Sequence, residues 1–167
     1  MRKFELTTDT KMRFGKKLFR IKALIDFGNV KAGEKGGYIE KEENLSQWGN
    51  AWVYGNAWVC GDAKVYGNAW VYGDAEVCGD AKVYGDAWVS GNADYATASG
   101  FGSEYRTTTF FRLKNSDEIG VRCGYFYGTL KEFKEKVKET HGETKKAKEY
   151  LMLADLMEYR FSEEKKA

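Results

Sequence analysis

Residues 49–96 read GNAWVY-GNAWVC-GDAKVY-GNAWVY-GDAEVC-GDAKVY-GDAWVS-GNADYA. The unit is six residues long: Gly, then Asn or Asp, then Ala, any residue, Val, any residue. Ala and Val stand two positions apart, so on an extended strand they point to the same side. Gly followed by Asn or Asp favours a turn. Because one unit cannot bury its own Ala and Val, the units are predicted to stack on one another.

The repeat resembles that of hexapeptide-repeat proteins, in which a left-handed parallel β-helix turns a corner at every unit and closes a triangular coil after three. The resemblance implies the handedness and the triangle, whereas the period and the inward Ala and Val follow from the residues. The predicted fold is mainly β: a left-handed parallel β-helix with an N-terminal β-hairpin cap and a small C-terminal α+β domain. The predicted segments are 1–27 for the hairpin, 28–100 for the β-helix and 101–167 for the C-terminal domain.

A coil of three units would place residues eighteen positions apart side by side, about 4.8 Å from each other. Trp52, Trp70 and Trp88 then form one outward ladder, with Tyr54 and Tyr72 beside it. The combined surface area of five aromatic side chains exceeds the few hundred Å² of apolar patch that a soluble monomer usually exposes. We therefore predict that this face is covered, either by another subunit or by the second C-terminal helix. Rings that stack to stiffen an exposed sheet are the alternative.

Charge is unevenly distributed along the chain. Residues 1–36 carry ten Lys or Arg against four Asp or Glu, whereas residues 37–100 carry three against nine. The basic segment either complements the acidic repeats or binds an anion. The cations available for an anionic ligand are Arg20, Lys22, Lys64 and Lys82. The net charge of the whole chain is only +2, which argues against nucleic acid as a partner.

The chain has no apolar run long enough to span a bilayer, and its N-terminus, MRKFELTTDTK, has no apolar signal core. We therefore expect no membrane association and a cytoplasmic location. Cys60 and Cys78 would be ladder neighbours, close enough for a bridge in principle. In a reducing cytosol we expect them, like Cys123, to be free thiols.

The tail reads as a ββαα domain. Residues 107–113 and 119–126 have strand composition on either side of a turn. Thr129 and Glu132 form a capping box that starts a helix, which ends at His141 and Gly142. A second helix is predicted from about residue 144 to residue 162, with a wide apolar stripe.

The whole chain resembles a class of phage and prophage proteins that combine a basic N-terminal segment, VYGNA-type hexapeptides and a tail of this kind. The matching residues are DFGNV at 26–30, GGYIE at 36–40, ENLS at 43–46, TTTF at 107–110, VRCG at 121–124, GTL at 128–130 and ETHG at 139–142. The repeat alone is weakly specific, and the order of all the segments is more so. The resemblance implies a phage setting but supplies no activity.

The sequence offers few candidates for catalytic or metal-binding residues. Hexapeptide acyltransferases use a histidine base, and carbonic anhydrases with this repeat bind a metal through three histidines. This chain has one histidine, His141, which lies outside the repeats and suits the last turn of a helix. Asp62 and Asp80 fall on one corner ladder and could hold a cation, although turn formation accounts for them. We predict no catalytic residue, no metal and no cofactor.

The predicted function is that of a non-enzymatic, oligomeric binding protein, a trimer or dimer. In a phage it would counter host defence by sequestering a small anionic signal, such as a cyclic nucleotide, or by blocking a host protein. Two alternatives remain: an acyltransferase-like enzyme, by fold analogy only, and a structural or virion component. The predicted binding residues are Trp52, Tyr54, Trp70, Tyr72, Trp88, Arg20, Lys22, Lys64 and Lys82.

Overall fold

The computed structural model describes residues 2–102 and 104–162, and the chain divides into two compact units, Met1–Asn92 and Ala93–Ala167. Among the described residues there are fourteen strands and two α-helices, and two short 3-10 helices at Glu42–Asn44 and Asn92–Asp94. The first unit contains β1 (Phe4–Arg13), β2 (Lys16–Ala23), β3 (Lys35–Ile39), β4 (Trp52–Val53), β5 (Trp58–Val59), β6 (Lys64–Val65), β7 (Trp70–Val71), β8 (Glu76–Val77), β9 (Lys82–Val83) and β10 (Trp88–Val89). The second contains β11 (Tyr95–Phe101), β12 (Arg106–Arg112), β13 (Ile119–Cys123), β14 (Phe126–Thr129), α1 (Leu130–His141) and α2 (Lys145–Phe161).

The repeat strands pair in parallel with a register of eighteen residues. Trp52 lies opposite Trp70 and Trp70 opposite Trp88 in a three-stranded sheet of order β10-β7-β4. Lys64 lies opposite Lys82 in a two-stranded sheet, β6-β9. The predicted eighteen-residue ladders are therefore confirmed. Backbone hydrogen bonds hold this register: Trp70 N donates to Ala87 O at 2.8 Å, and Tyr72 N donates to Val89 O at 2.9 Å.

The interior of the first unit is made of the Ala and Val positions of the repeat. From Ala51 to Val89 each of these side chains is fully buried, as predicted from their two-residue spacing. The corners between strands require glycine. Gly67 has φ +72°, and a Cβ there would lie 2.8 Å from the backbone nitrogen of Gly85 on the next layer. Stacked corners therefore exclude any side chain at this position.

The predicted hairpin at the N-terminus is confirmed, because β1 and β2 pair in antiparallel fashion, with a turn at Phe14 and Gly15. The edge of this hairpin continues into the repeats. β2 pairs with β3 in antiparallel fashion, and β3 pairs with β5 in parallel. The result is a mixed five-stranded sheet of order β1-β2-β3-β5-β8.

The predicted fold class, a left-handed parallel β-helix over residues 28–100, is wrong as a description of this structure. The chain is mainly β, but the described strands form several small sheets, parallel, antiparallel and mixed, with two C-terminal helices. One physical reason is that repeat strands of two residues are too short to define one continuous sheet, and the hairpin recruits two of them into a mixed one. Another is that Tyr95 replaces the repeat's Val, and Tyr95–Phe101 then pairs with Arg106–Arg112 instead of stacking on the repeats.

The second unit is a four-stranded antiparallel sheet, β11-β12-β13-β14, followed by α1 and α2. The predicted capping box is confirmed: Thr129 Oγ1 accepts from Glu132 N at 3.2 Å, and Glu132 Oε1 accepts from Thr129 N at 3.1 Å. The predicted single strand over 119–126 is instead two, because the chain turns at Gly124, with φ +58°. The core of this unit contains Phe110, Val121, Leu130, Phe133, Val137, Ala147, Tyr150, Ala154, Met157 and Phe161.

Across residues 2–102 and 104–162, neither helix combines the length and the apolar character needed to cross a membrane. Within the same residues, His, Cys, Asp and Glu side chains form no group of three that could hold a metal ion.

A candidate aromatic binding surface

Four rings on the three-stranded sheet form what we call the aromatic surface: Tyr54, Trp70, Tyr72 and Trp88. They occupy the two outward positions of the repeat, because Ala and Val of the same units take the inward ones. All four are half-buried, and together they line a shallow depression of about 320 Å³. The lining is almost wholly apolar, so the depression suits a flat apolar group.

The rings are held by one another. Trp70 and Trp88 stack with centroids 5.2 Å apart and planes within 15°. Tyr54 packs on Trp70 at 5.2 Å, and Tyr72 meets Trp88 edge-on at 6.2 Å. Offset stacked and edge-to-face pairs are the favourable arrangements of aromatic rings. Burial, and to a lesser degree the nearby Glu34 carboxylate, raises the pKa of the Tyr54 phenol, which therefore stays neutral. The surface is accordingly uncharged and preorganised.

Trp52, which was predicted to lie in one ladder with Trp70 and Trp88, is not part of the aromatic surface. It is fully buried, because Phe4 and Phe27 cover it edge-on at centroid distances of 6.3 and 5.1 Å. Both covering residues lie more than twenty positions before it in the chain, and no spacing in the sequence relates them to the repeat. Trp52 therefore acts as core, and the exposed ladder begins at Trp70.

A buried lysine secures this cover. Lys3 Nζ donates to Ala51 O at 2.8 Å and to Gly49 O at 3.4 Å, and it lies 4.8 Å from the centroid of the Phe27 ring. The side chain is 1% exposed, and burial lowers its pKa to about 8. Carbonyl oxygens and an aromatic face compensate the ammonium group only in part, because the cost of burial still lowers its pKa.

The predicted cations lie on other sheets. Arg20, on β2, is engaged internally: its guanidinium donates to Asp9 Oδ2 at 2.9 Å and to Gly36 O and Tyr38 Oη at 2.8 Å each. Lys22, on the same strand, lies opposite Glu5. Neither Arg20 nor Lys22 is among the described residues that line the aromatic depression. The structure therefore separates the hairpin cations from the aromatic rings.

Lys64 and Lys82 belong to a second cluster, on β6 and β9. Both are exposed and lie in register on adjacent parallel strands. The following residues, Tyr66 and Tyr84, bring their rings to 4.4 Å between centroids. A separate depression of about 380 Å³ is lined by Lys64, Lys82 and Tyr66, together with Glu43, Ser46 and Val65. Here the structure does place predicted cations beside aromatic rings, although the rings are not the ones predicted.

The expectation of free thiols at positions 60 and 78 is wrong, because Cys60 and Cys78 form a disulfide with Cα atoms 4.7 Å apart. The physical reason is the eighteen-residue register. Both cysteines follow the Val of strands that pair directly, β5 and β8, so their sulfurs meet without any backbone shift. Cys123 in the second unit is free.

His141 occupies the place that the sequence predicted, the last residue of α1, before Gly142 with φ +58°. Its ring packs on Tyr150 of α2, with centroids 5.9 Å apart and planes within 29°. One pocket is lined by His141, Tyr150, Cys123 and Arg106, and no sequence pattern predicted it. Four different elements contribute these side chains, so no local motif signals their proximity.

The aromatic surface holds neither a nucleophile paired with a base nor a metal-ligating group. What it can do is stack on a flat ring system or pack against an apolar surface of another protein. No protein-family profile matches the chain, and no curated protein is significantly similar to it.

Proposed function

We propose that this protein is a non-enzymatic, oligomeric binding protein of phage origin that acts in the host cytoplasm and blocks a host protein through the aromatic surface. The observation that carries the proposal is the half-buried, apolar depression formed by Tyr54, Trp70, Tyr72 and Trp88. Tyrosine and tryptophan are the residues that most often dominate the energy of protein interfaces. The phage setting and the role against host defence rest on the resemblance of the repeats and the tail to phage and prophage proteins.

The same surface supports self-association. Its rings repeat at the spacing of adjacent strands, so a second copy presents a ladder of matching period. Homo-oligomers usually have closed symmetry, in which identical patches meet. A symmetric dimer or trimer would bury Trp70 and Trp88, and a host protein with a complementary apolar surface would compete for them.

The first experiment measures native mass. We expect an oligomer for the wild-type protein, and for Trp70→Arg a shift toward the monomer with the β-sheet circular dichroism retained. Trp48→Arg is the matched control, because Trp48 is 81% exposed and lies outside the aromatic surface. It should leave the mass unchanged. A wild-type protein that is monomeric at high micromolar concentration would refute the oligomer.

The blocking role is tested in infected cells. Hosts that express wild-type protein should allow more plaques from a phage restricted by the relevant defence, whereas hosts that express Trp70→Arg should not. Trp48→Arg again serves as the control and should behave as wild type. Equal plaque counts for wild type and Trp70→Arg, with both proteins folded, would contradict a role of the aromatic surface in blocking.

A second candidate, sequestration of a small anionic signal such as a cyclic nucleotide, is favoured by the Lys64 and Lys82 cluster. The two lysines lie opposite each other on adjacent parallel strands, so both can approach one anion. The adjacent Tyr66 and Tyr84 offer a face on which a base can stack. In calorimetry with cyclic di-GMP, Lys64→Ala should weaken binding about tenfold, as loss of a charge-assisted contact worth about 1.4 kcal/mol would. Lys22→Ala should not. Binding unaffected by Lys64→Ala would exclude this site.

The two other functions considered from the sequence, an acyltransferase-like enzyme and a virion component, have no specific structural observation in their favour. The chain's one histidine lies in α1, away from the repeat sequence. Turnover of acetyl-CoA by the purified protein would establish the first, and its presence in purified particles the second.

A further inference from the structure

A pocket of about 160 Å³ lies within the second unit, and neither the repeats nor the aromatic surface takes part in it. The polar side chains around it come from the turn between β11 and β12, from the ends of β12 and β13 and from both helices: Glu104, Arg106, Cys123, His141 and Tyr150. Phe101 forms an apolar wall. A guanidinium, an imidazole, a thiol and a phenol thus line one small space.

The pocket is rich in donors. The Arg106 guanidinium carries its charge at any working pH. Burial, and next to it the neighbouring Cys123 thiol, raises the pKa of Tyr150 to about 12, so its phenol remains protonated. The thiol of Cys123 accepts from Thr108 Oγ1 at 3.1 Å and lies 4.0 Å from Tyr150 Oη. Arg106 and Tyr150 therefore present N–H and O–H groups to any occupant.

Two glycines make room for these donors. Gly102, with φ +79°, lies so close to Tyr150 Oη that a Cβ at this position would collide with the hydroxyl. Gly124, with φ +58°, lies so close to Arg106 Nη1 that a Cβ at this position would collide with the guanidinium. Both positions combine a backbone conformation that suits glycine with direct approach to a polar side-chain tip. The backbone is thus shaped around the phenol and the guanidinium.

One anion already contacts the guanidinium. Glu104, two residues before Arg106, forms an ion pair with it, and the Glu104 side chain is 65% exposed. An ion pair this exposed contributes little to stability and exchanges readily. The Glu104 carboxylate is therefore a tethered group that a diffusing oxyanion can replace at Arg106.

We propose that this pocket binds a small oxyanion, a carboxylate or a phosphate, through Arg106 and Tyr150, and that the ligand displaces Glu104 from Arg106. The site is independent of the aromatic surface and of the proposed function. Its volume exceeds that needed for a single water and admits an ion the size of phosphate. Recognition of phosphate or carboxylate by a forked guanidinium is the strongest contact of this kind available to a protein.

The protein carries its own reporter, because His141 is the single histidine of the chain and lines the pocket. We would follow its ring signals by heteronuclear NMR while adding inorganic phosphate or acetate at constant ionic strength. Either anion should produce a saturable shift of the His141 ring signals, because the ring lines the pocket in which the anion binds. Saturation by only one of the two anions identifies the ligand class.

Variants make the test specific. Glu104→Gln should bind the anion several-fold more tightly, because it removes the competing carboxylate, and Arg106→Gln should abolish saturable binding. Arg160→Gln, in the same unit but outside the pocket, should bind as wild type. Absence of a saturable shift with both anions, or equal shifts in Arg106→Gln, would overturn the proposal. If Arg106→Gln does not fold, Glu104→Gln decides, since unchanged or weaker binding there would refute displacement.

Discussion

Replacing Lys3 with Met should remove a pH dependence of stability that the buried ammonium group creates. The pKa of Lys3 is about 8 in the folded protein, compared with an ordinary value of 10.5. Between these two values the unfolded chain binds more protons than the folded one. Stability linked to Lys3 therefore rises as the pH rises from below 8 to above 10.5.

The magnitude follows from the two pKa values. Below pH 8 the full difference applies, about 3.4 kcal/mol of free energy that opposes folding at 1.36 kcal/mol per pKa unit. At pH 10 the folded-state amine is neutral and the unfolded one is still largely charged, which leaves about 0.8 kcal/mol. The wild-type free energy of unfolding should therefore gain about 2.5 kcal/mol between pH 7 and pH 10 from this residue alone.

Urea unfolding followed by tryptophan fluorescence measures this difference in the right part of the molecule. All five tryptophans lie in the unit Met1–Asn92, so the signal reports on the unit that contains Lys3. A Cys123→Ser background prevents thiol exchange with the disulfide at high pH. Lys64→Met, at an exposed lysine, is the matched control and should keep the wild-type pH dependence. Equal pH dependence in wild type and Lys3→Met would refute the account of Lys3.

Three further predictions concern the same scaffold. Reduction of the Cys60–Cys78 disulfide should lower the free energy of unfolding by about 3 kcal/mol, because the unfolded chain regains the entropy of a loop with a sequence separation of 18. Urea midpoints with and without reductant would measure the loss, and an unchanged midpoint would contradict it. Val71→Asp should lower the free energy of unfolding by more than about 3 kcal/mol, because it buries an unpaired charge at a fully enclosed position. Lys64→Asp, at an exposed position, should fold, and a stable Val71→Asp protein would count against the packing described. Thr129→Ala should lower the stability of the second unit by about 1 kcal/mol, because it removes the N-cap of α1. Unfolding followed by circular dichroism at 222 nm measures the loss, and unchanged stability would show that the capping box does not stabilise the unit.

The periodic part of the fold could be predicted from the sequence, because it depends on a local pattern repeated without a slip. The spacing of Ala and Val fixes their burial, and the spacing of the tryptophans fixes the register. The arrangement of sheets could not be predicted in the same way. It depends on the non-local pairing of β2 with β3, which joins the hairpin to the repeats, and on Tyr95–Phe101, which joins the antiparallel sheet of the second unit.

The candidate site shows the same division. Trp70 and Trp88 share a surface because they share a repeat position, and this was predicted. The burial of Trp52 depends on Phe4 and Phe27, which no periodicity connects to it. The expectation of free thiols failed for a different reason, since it relied on the assumed compartment, whereas the register placed Cys60 beside Cys78.

The uniform register also determines how this chain can change length during evolution. Removal of residues 67–84 would bring Trp88 opposite Trp52 and keep the register of the remaining repeat units. Removal of only residues 67–72 would bring Glu76 opposite Trp52 and shift each later strand onto a foreign neighbour. Insertions and deletions are therefore tolerated in blocks of three units and selected against in blocks of one. Gene variants produced by unequal recombination should differ by whole blocks, with the Cys60–Cys78 pair marking which block has been gained or lost.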